Sequence, residues 1–350
     1  MGFIKSVVKN VVMALAAIVL ASGMAQAQNN KEQPKSLIKV NIGGPSAGYW
    51  VTYVAEEYKI YQKHGIDPQF HWFTSGAPLL AALKSESIDQ VVTGLATVFA
   101  IGQNIPLKII SWELDNGKGE GLIVSEKSGI ASFRDIGKAK AIAAAAGTCS
   151  QISLRLMAKK AGVDYSKLNV INLAPPLFAN AFTGGSIDAA VGWAPHSINQ
   201  PQGVRVVSWD ADYEGVCPSV NAFRPDFIKK NPDVVERMLK VHAETMDLIK
   251  ANPQIAINAL VKNLKISEVV AKKFYEIHCC SNFPTYKDQL DPNSQFSLTA
   301  KEGGLAKQLY VASQVLAEAG TIPRPLTWVE IQNSIDPSYV EKMFGSTTKK

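Results

Sequence analysis

Cysteine is scarce in this chain, with four in 350 residues, at positions 149, 217, 279 and 280. None stands in a Cys-x-x-Cys pair, which removes the ligand spacing of zinc ribbons and fingers. The five histidines, at 64, 71, 196, 242 and 278, show no metal-binding interval, and there is no His-Glu-x-x-His. No glycine-rich loop ends in Gly-Lys-Ser or Gly-Lys-Thr, so a phosphate-cradling nucleotide site is not indicated. A strong charge of one sign is lacking too. Thirty-six basic residues oppose 30 acidic ones for a net +6, scattered along the chain, whereas nucleic-acid binders concentrate positive charge on one face. No nucleic-acid partner is expected. The longest apolar run, Val11 to Ala21, has 11 residues, short of the ~20 that a membrane-spanning helix needs.

What is present is a globular composition, 47% hydrophobic and 19% charged, with a mean hydropathy of +0.02. Lys5 and Lys9 are the only charges in the first 27 residues, the apolar run follows them, and Ala25-Gln26-Ala27 supplies a small-x-small cleavage site. This combination reads as a secretory signal peptide over residues 1–27. No cysteine follows the cleavage site to take a lipid, so the expectation is a soluble exported protein, most simply periplasmic. The remaining 323 residues carry +4 and suit two lobes at ~100–200 residues per domain. An oxidising compartment permits disulfides, and four cysteines allow three full pairings, between which the spacing does not choose.

From Ser36 to Gly192 short apolar strands alternate with amphipathic helices. Strands are predicted over 37–42, 68–73, 88–92 and 108–114, with helices over 49–63, 78–84 and 97–103. After Gly121 to Ser125 the series restarts, with strands over 140–146, 168–173 and 189–193 and helices over 150–161 and 175–182. Such alternation predicts an α/β fold with largely parallel sheets. Ser87-Ile88-Asp89 and Ser186-Ile187-Asp188 stand at equivalent places, each before a short apolar strand ending in glycine. The chain therefore reads as two similarly built lobes. Helices predominate after Pro225, over 232–251, 253–263, 266–278 and 303–319, and are read as completing the first lobe. Two hinge strands are expected near 121–125 and 219–223. The domain reading is then 36–121 plus 224–345 for the first lobe and 125–219 for the second.

Ligands of open α/β sheets lie beyond the carboxyl ends of the strands. Those ends carry Gly44 and Ser46, Ser75 and Gly76, Leu95 and Thr97, Thr148, Cys149 and Ser150, and Trp193 with His196. Most open a helix, where backbone N–H groups favour an anion, although Ser and Thr there also serve as ordinary N-caps. A helix terminus contributes ~0.3–1 kcal/mol, ~2 when partly buried, while micromolar affinity needs about 8 kcal/mol. Directional hydrogen bonds and aromatic walls must supply the rest. Tyr49, Trp50 and above all Trp193 are the candidate walls, and His196 is a candidate donor to an anion. Asn116 and Glu120 lie in a polar segment before the first crossing and could meet a ligand amine.

At these loops the sequence resembles the periplasmic substrate-binding proteins of ABC importers for taurine, alkanesulfonates and nitrate. The likeness spans nearly all of the mature chain. Its strongest part runs from Asn172-Leu173-Ala174-Pro175-Pro176-Leu177 through Gly184-Gly185-Ser186-Ile187-Asp188 to Trp193-Ala194-Pro195, and Arg224-Pro225-Asp226-Phe227 fits the return into the first lobe. The resemblance implies a type II periplasmic-binding-protein fold, two α/β lobes joined by two strands that close on one small ligand. It implies delivery to an ABC permease of the inner membrane, no cofactor, a monomer and no enzymatic activity. Carried over by position, contacts fall at Ser46, Ser75, Gly76, Leu95, Thr148, Cys149 and Trp193. Where the taurine binders place an acid for the ligand amine, Ser219 stands here, which favours an anion without an ammonium group. The expected ligand is a small organic anion, a sulfonate or a carboxylate with an aromatic body allowed. Two other readings remain open. One is an enzyme resembling the pyrimidine synthases of thiamine biosynthesis, supported only by His278-Cys279-Cys280. The other is a solute receptor for a membrane sensor.

Overall fold

The computed structural model describes residues 37–45, 49–74, 76–117, 119–278 and 283–345. The segment read as an export signal lies outside them, as do Ser46, Ser75, Cys279 and Cys280. Among the described residues no helix is long and apolar enough to cross a membrane.

In chain order the strands are β1 (Ile38–Pro45), β2 (Ile66–Phe73), β3 (Gln90–Thr93), β4 (Lys108–Asp115), β5 (Gly121–Ser125), β6 (Ile142–Ala144), β7 (Val170–Ile171), β8 (Ala189–Gly192), β9 (Val204–Trp209) and β10 (Pro218–Phe223). They form two sheets, ordered β2-β1-β3-β10-β4 and β7-β6-β8-β5-β9. Both sheets therefore have one plan. A first strand lies between the second and third, and a strand arriving from the other sheet separates the third from the fourth. β1 is parallel to β2 and β3, and β6 to β7 and β8. β3 and β8 are buried along their whole length, as central strands covered on both faces should be. β2 carries Pro68 and exposed His71 and Trp72, consistent with its place at an edge.

The expectation of largely parallel sheets needs correction at one strand in each. β10 is antiparallel to β3 and β4, and β5 to β8 and β9. Direction of entry is the cause. Each arrives from the other lobe at the edge where the parallel strands end, and so runs back against them. The crossings themselves lie one step earlier than the expected hinge strands, at residues 116–120 and 210–217. They run side by side. Asn116 N–H donates to the Cys217 carbonyl at 3.0 Å, Asp210 N–H to the Glu120 carbonyl at 3.0 Å, and Ala211 N–H to the Gly117 carbonyl at 3.0 Å.

The Ser-Ile-Asp echo performs the same task in both lobes. Asp89 accepts from the Asn41 backbone N–H (2.9 Å) and from Asn41 Nδ2 (2.8 Å) on β1. Asp188 accepts from the N–H groups of Lys140 (3.0 and 3.1 Å) and Ala141 (3.0 Å) at the start of β6. The serines match as well, since Ser87 and Ser186 each donate from backbone and side chain to the carbonyl five residues earlier. Each motif thus ties a helix end, a turn and the neighbouring first strand together.

Other boundaries moved for local reasons. The helix expected over 49–63 is two, Trp50–Glu57 and Ile60–Lys63, broken at Lys59, whose φ of +54° is left-handed. The one expected over 175–182 opens as a 3₁₀ turn, Pro175–Leu177, before Phe178–Thr183. The helices after Pro225 pack chiefly on the first lobe. Val234–Ala251 and Gln254–Leu264 cover Trp50, Val51 and Val54, and Leu305, Leu309 and Leu316 of Gly304–Glu318 join the core beneath the first sheet.

Candidate functional site

Where the two lobes meet, beside the crossings, a cavity of about 40 Å³ is lined from both sides. The first lobe contributes Pro45, Tyr49, Gly76, Thr93, Gly94, Leu95, Ala96 and Leu114. The second contributes Gly147, Thr148, Cys149, Trp193 and Ala194. Asn116 and Cys217 come from the crossings and Phe274 from the helix Glu268–His278. No lining side chain among these carries a charge. The lobes touch through glycine. A Cβ on Gly76 would lie 2.5 Å from the Gly147 carbonyl oxygen, and one on Gly94 would lie 2.8 Å from Cys149 Sγ. Real Cβ atoms do not approach so closely, so these two positions let the lobes come together.

Of the residues singled out in sequence, the structure brings Tyr49, Gly76, Leu95, Asn116, Thr148, Cys149 and Trp193 to this cavity. Gly44 packs immediately behind it, its Cα hydrogen side facing the Val92 carbonyl and the rings of Trp72 and Tyr49. Thr97, Glu120, Ser150 and Ser219 are buried around it without lining it. Trp50 is elsewhere. It lies in the first-lobe core, edge-on to Tyr275 at 4.6 Å and to Phe283 at 6.0 Å, because its helix turns that face toward the C-terminal helices. His196 is half-buried and outside the lining, its carbonyl accepting from Gln200 Nε2 at 2.5 Å. Phe274, Leu114, Thr93 and Cys217 were not anticipated as lining. Phe274 belongs to an amphipathic helix on which a cavity-facing aromatic has the same periodicity as a core one.

Some hydroxyls are ordinary caps. Thr148 Oγ1 donates to the Ala145 carbonyl (2.7 Å) and accepts from Ser150 N–H (3.2 Å), fixing the start of the helix Cys149–Ala161. Thr97 Oγ1 donates to the Gly94 carbonyl at 3.0 Å. Other groups are not satisfied. Trp193 Nε1, Ser150 Oγ, Ser219 Oγ and Glu120 Oε1 are buried polar atoms without a hydrogen-bond partner, and of these residues Trp193 lines the cavity. Ser150 stands beside Glu120, and Ser219 beside the Tyr49 hydroxyl, without reaching hydrogen-bond geometry. Native proteins leave few such atoms, and each calls for an explanation.

Electrostatics at the floor follow from burial. Glu120 is fully buried, and its carboxyl is pushed well above the usual range by desolvation, reinforced by Cys149 and Asp210. Cys217 Sγ–H donates to Glu120 Oε2 at 3.8 Å. Asp210 is raised to about 7, again chiefly by burial, while accepting from Ser153 Oγ (3.1 Å) and the Tyr213 hydroxyl. Burial thus disfavours the ionised form of Glu120, the form that would oppose an anion in the cavity.

His278 is fully buried and lowered to about 4 by desolvation, so it is neutral. Its two nitrogens face the Phe274 carbonyl (Nδ1, 3.1 Å) and Oδ1 of Asn116 (Nε2, 3.0 Å). Both ring nitrogens are thus engaged in fastening a helix to the first crossing. Gly44-Pro45-Ser46-Ala47-Gly48 has the Gly-x-Ser-x-Gly spelling of a hydrolase nucleophile turn, and its residues 46–48 lie outside the described residues. No histidine is among the described residues that line the cavity.

Comparison with known proteins agrees with this architecture. A protein of Brucella abortus (strain 2308) named as a binding protein is 30% identical over 233 residues, covering 64% of this chain and 72% of the relative. The taurine-binding periplasmic protein of Escherichia coli K12 is 26% identical over 268 residues, covering 75% and 81%. The crystal structure of the periplasmic aliphatic sulphonate binding protein SsuA from Escherichia coli superposes with a TM-score of 0.69 at 22% identity, covering 86% of this chain and 98% of that one. The fold is the two-lobed type II periplasmic-binding-protein fold. A family model described as NMT1/THI5 like matches residues 47–256, and the chain belongs to that family.

Proposed function

We propose that this protein is a periplasmic solute-binding component of an ABC importer, closing its two lobes on a small organic anion and delivering it to a permease. The ligand class is a sulfonate or a carboxylate, with an apolar or aromatic body seated against Tyr49, Trp193 and Phe274. One observation carries the reading. Trp193, whose buried Nε1 has no hydrogen-bond partner, lines a cavity that has aromatic walls and no charged lining residue. An anion there receives donors from Trp193 Nε1 and the N–H groups that open the helices Gly76–Lys84 and Cys149–Ala161. The names of the relatives support a binding role, and the burial of Glu120, which disfavours its charged form, favours an anion over a zwitterion carrying an amine.

The test is a thermal-shift and calorimetric screen over aliphatic and aromatic sulfonates, aromatic carboxylates, nitrate, taurine and amino acids. A true ligand at a hundredfold excess over its Kd stabilises the fold by ~2.7 kcal/mol. Stabilisation is expected from a sulfonate or carboxylate lacking an amine. Binding of amino acids alone, or of no anion in the panel, overturns the assignment.

A further inference from the structure

We propose that Cys149 and Cys217 form a site of reversible covalent modification, a disulfide that ties the second lobe to the return crossing at the wall of the cavity. The claim is independent of which solute binds. Both residues are free, buried (6% and 2% exposed) and line the same cavity. Their thiols are neighbours at that wall. Gly94 makes room for this meeting, since a Cβ there would fall 2.8 Å from Cys149 Sγ and 3.1 Å from the Pro218 carbonyl, next in the chain to Cys217.

A buried cysteine pair is often mere packing, because free cysteine behaves as a small apolar residue. The location argues for more. Cys149 opens the helix Cys149–Ala161 of the second lobe, and Cys217 ends the crossing that re-enters the first sheet, its carbonyl accepting from Asn116 of the other crossing. The contact therefore spans a boundary between bodies joined by only two strands of chain. Strands β7, β8 and β9 all lie within the loop that the bond would close. Such a bond would hold the lobes at one angle, while opening them would expose both thiols. Oxidation thus captures the closed arrangement.

The chemistry needs a disulfide oxidant. One thiolate attacks a sulfur of the external disulfide, forming a mixed disulfide and expelling one thiolate. The second cysteine, deprotonated, displaces the remaining half. Two electrons pass from the protein sulfurs to the reagent's S–S bond, and the two protons end on the two thiols released. Export to an oxidising compartment would supply such partners.

The experiment treats the intact protein with oxidised glutathione, alkylates the remaining thiols after unfolding, and maps peptides without reduction. A linked pair of peptides carrying Cys149 and Cys217 is expected, absent in Cys149→Ser and after dithiothreitol. Backbone hydrogen exchange over 116–120 and 210–217 should slow at least fivefold in the oxidised form. Mapping the natural chain separates this pair from any bond to Cys279 or Cys280 without further substitution. Alkylation of both thiols, glutathione retained on one cysteine, or pairing with Cys279 or Cys280 overturns the proposal. So does a linked pair whose hydrogen exchange is unchanged.

Discussion

Asp210 is fully buried at the start of the return crossing, close to Glu120, and burial holds its carboxyl near 7 instead of the usual 3.8. Between about pH 4 and 7 the folded protein keeps a proton that the unfolded chain has released, so stability falls as pH rises through that window. Below pH 4 both states are protonated and nothing is lost. Asp210→Asn removes this titration while retaining an acceptor for the Tyr213 hydroxyl. Unfolding free energies from urea titrations at pH 4.5 and 7.5 should therefore differ less in the variant, by a few kcal/mol, and parallel profiles would show that the carboxyl ionises normally. Trp193 offers a second single-residue test. Trp193→Phe keeps the apolar wall but removes the unpartnered Nε1–H. Solute affinity should fall about tenfold, the worth of a hydrogen bond to a charged group, with stability changed by less than ~1 kcal/mol. Unchanged affinity in calorimetry would remove the indole from the donor set. Trp193 was legible in sequence because Gly192 and Pro195 place it in a loop. Trp50 carried the same chemistry, but only the packing of later helices shows that it faces the core.

The elements show what a local pattern encodes and what it does not. The Ser-Ile-Asp echo was readable because its work is local in sequence, closing a turn and binding the neighbouring strand with one carboxylate. The insertion of β10 and β5 between third and fourth strands was not readable, since it pairs residues far apart in sequence, as in Ala222 with Val91 and Leu122 with Val191. β9 was missed for the same reason, its pairing with β5 being set by the whole second lobe. The echo yields a prediction at this scale. Asp188→Ala strips the acceptor from two backbone N–H groups, and Asp89→Ala strips it from one N–H and a carboxamide. Each should cost about 1–3 kcal/mol. The two sites share no partners, so the double variant should lose the sum of both within ~0.5 kcal/mol. A strong departure from additivity in urea unfolding would mean that the lobes do not carry these caps independently.

For the whole molecule the decisive geometry is the approach of the lobes. Gly76 opens a helix in the first lobe and meets the Gly147 carbonyl of the second, where φ is +74° and glycine is favoured. In an isolated helix an alanine at such a position would help by ~0.5–1 kcal/mol. In the closed molecule its Cβ would stand 2.5 Å from a backbone oxygen that has no room to yield. The two effects have opposite signs and separate folding from closure. Gly76→Ala should leave the urea midpoint unchanged or slightly higher, yet weaken binding of whichever solute the screen identifies at least tenfold. Because binding competence scales with the population of the closed form, the loss should come with a larger radius of gyration in solution scattering at saturating solute. A variant that binds as tightly as the natural chain, with the same scattering profile, would mean that this contact does not limit closure and that the ligand sits in a wider cleft than the one described.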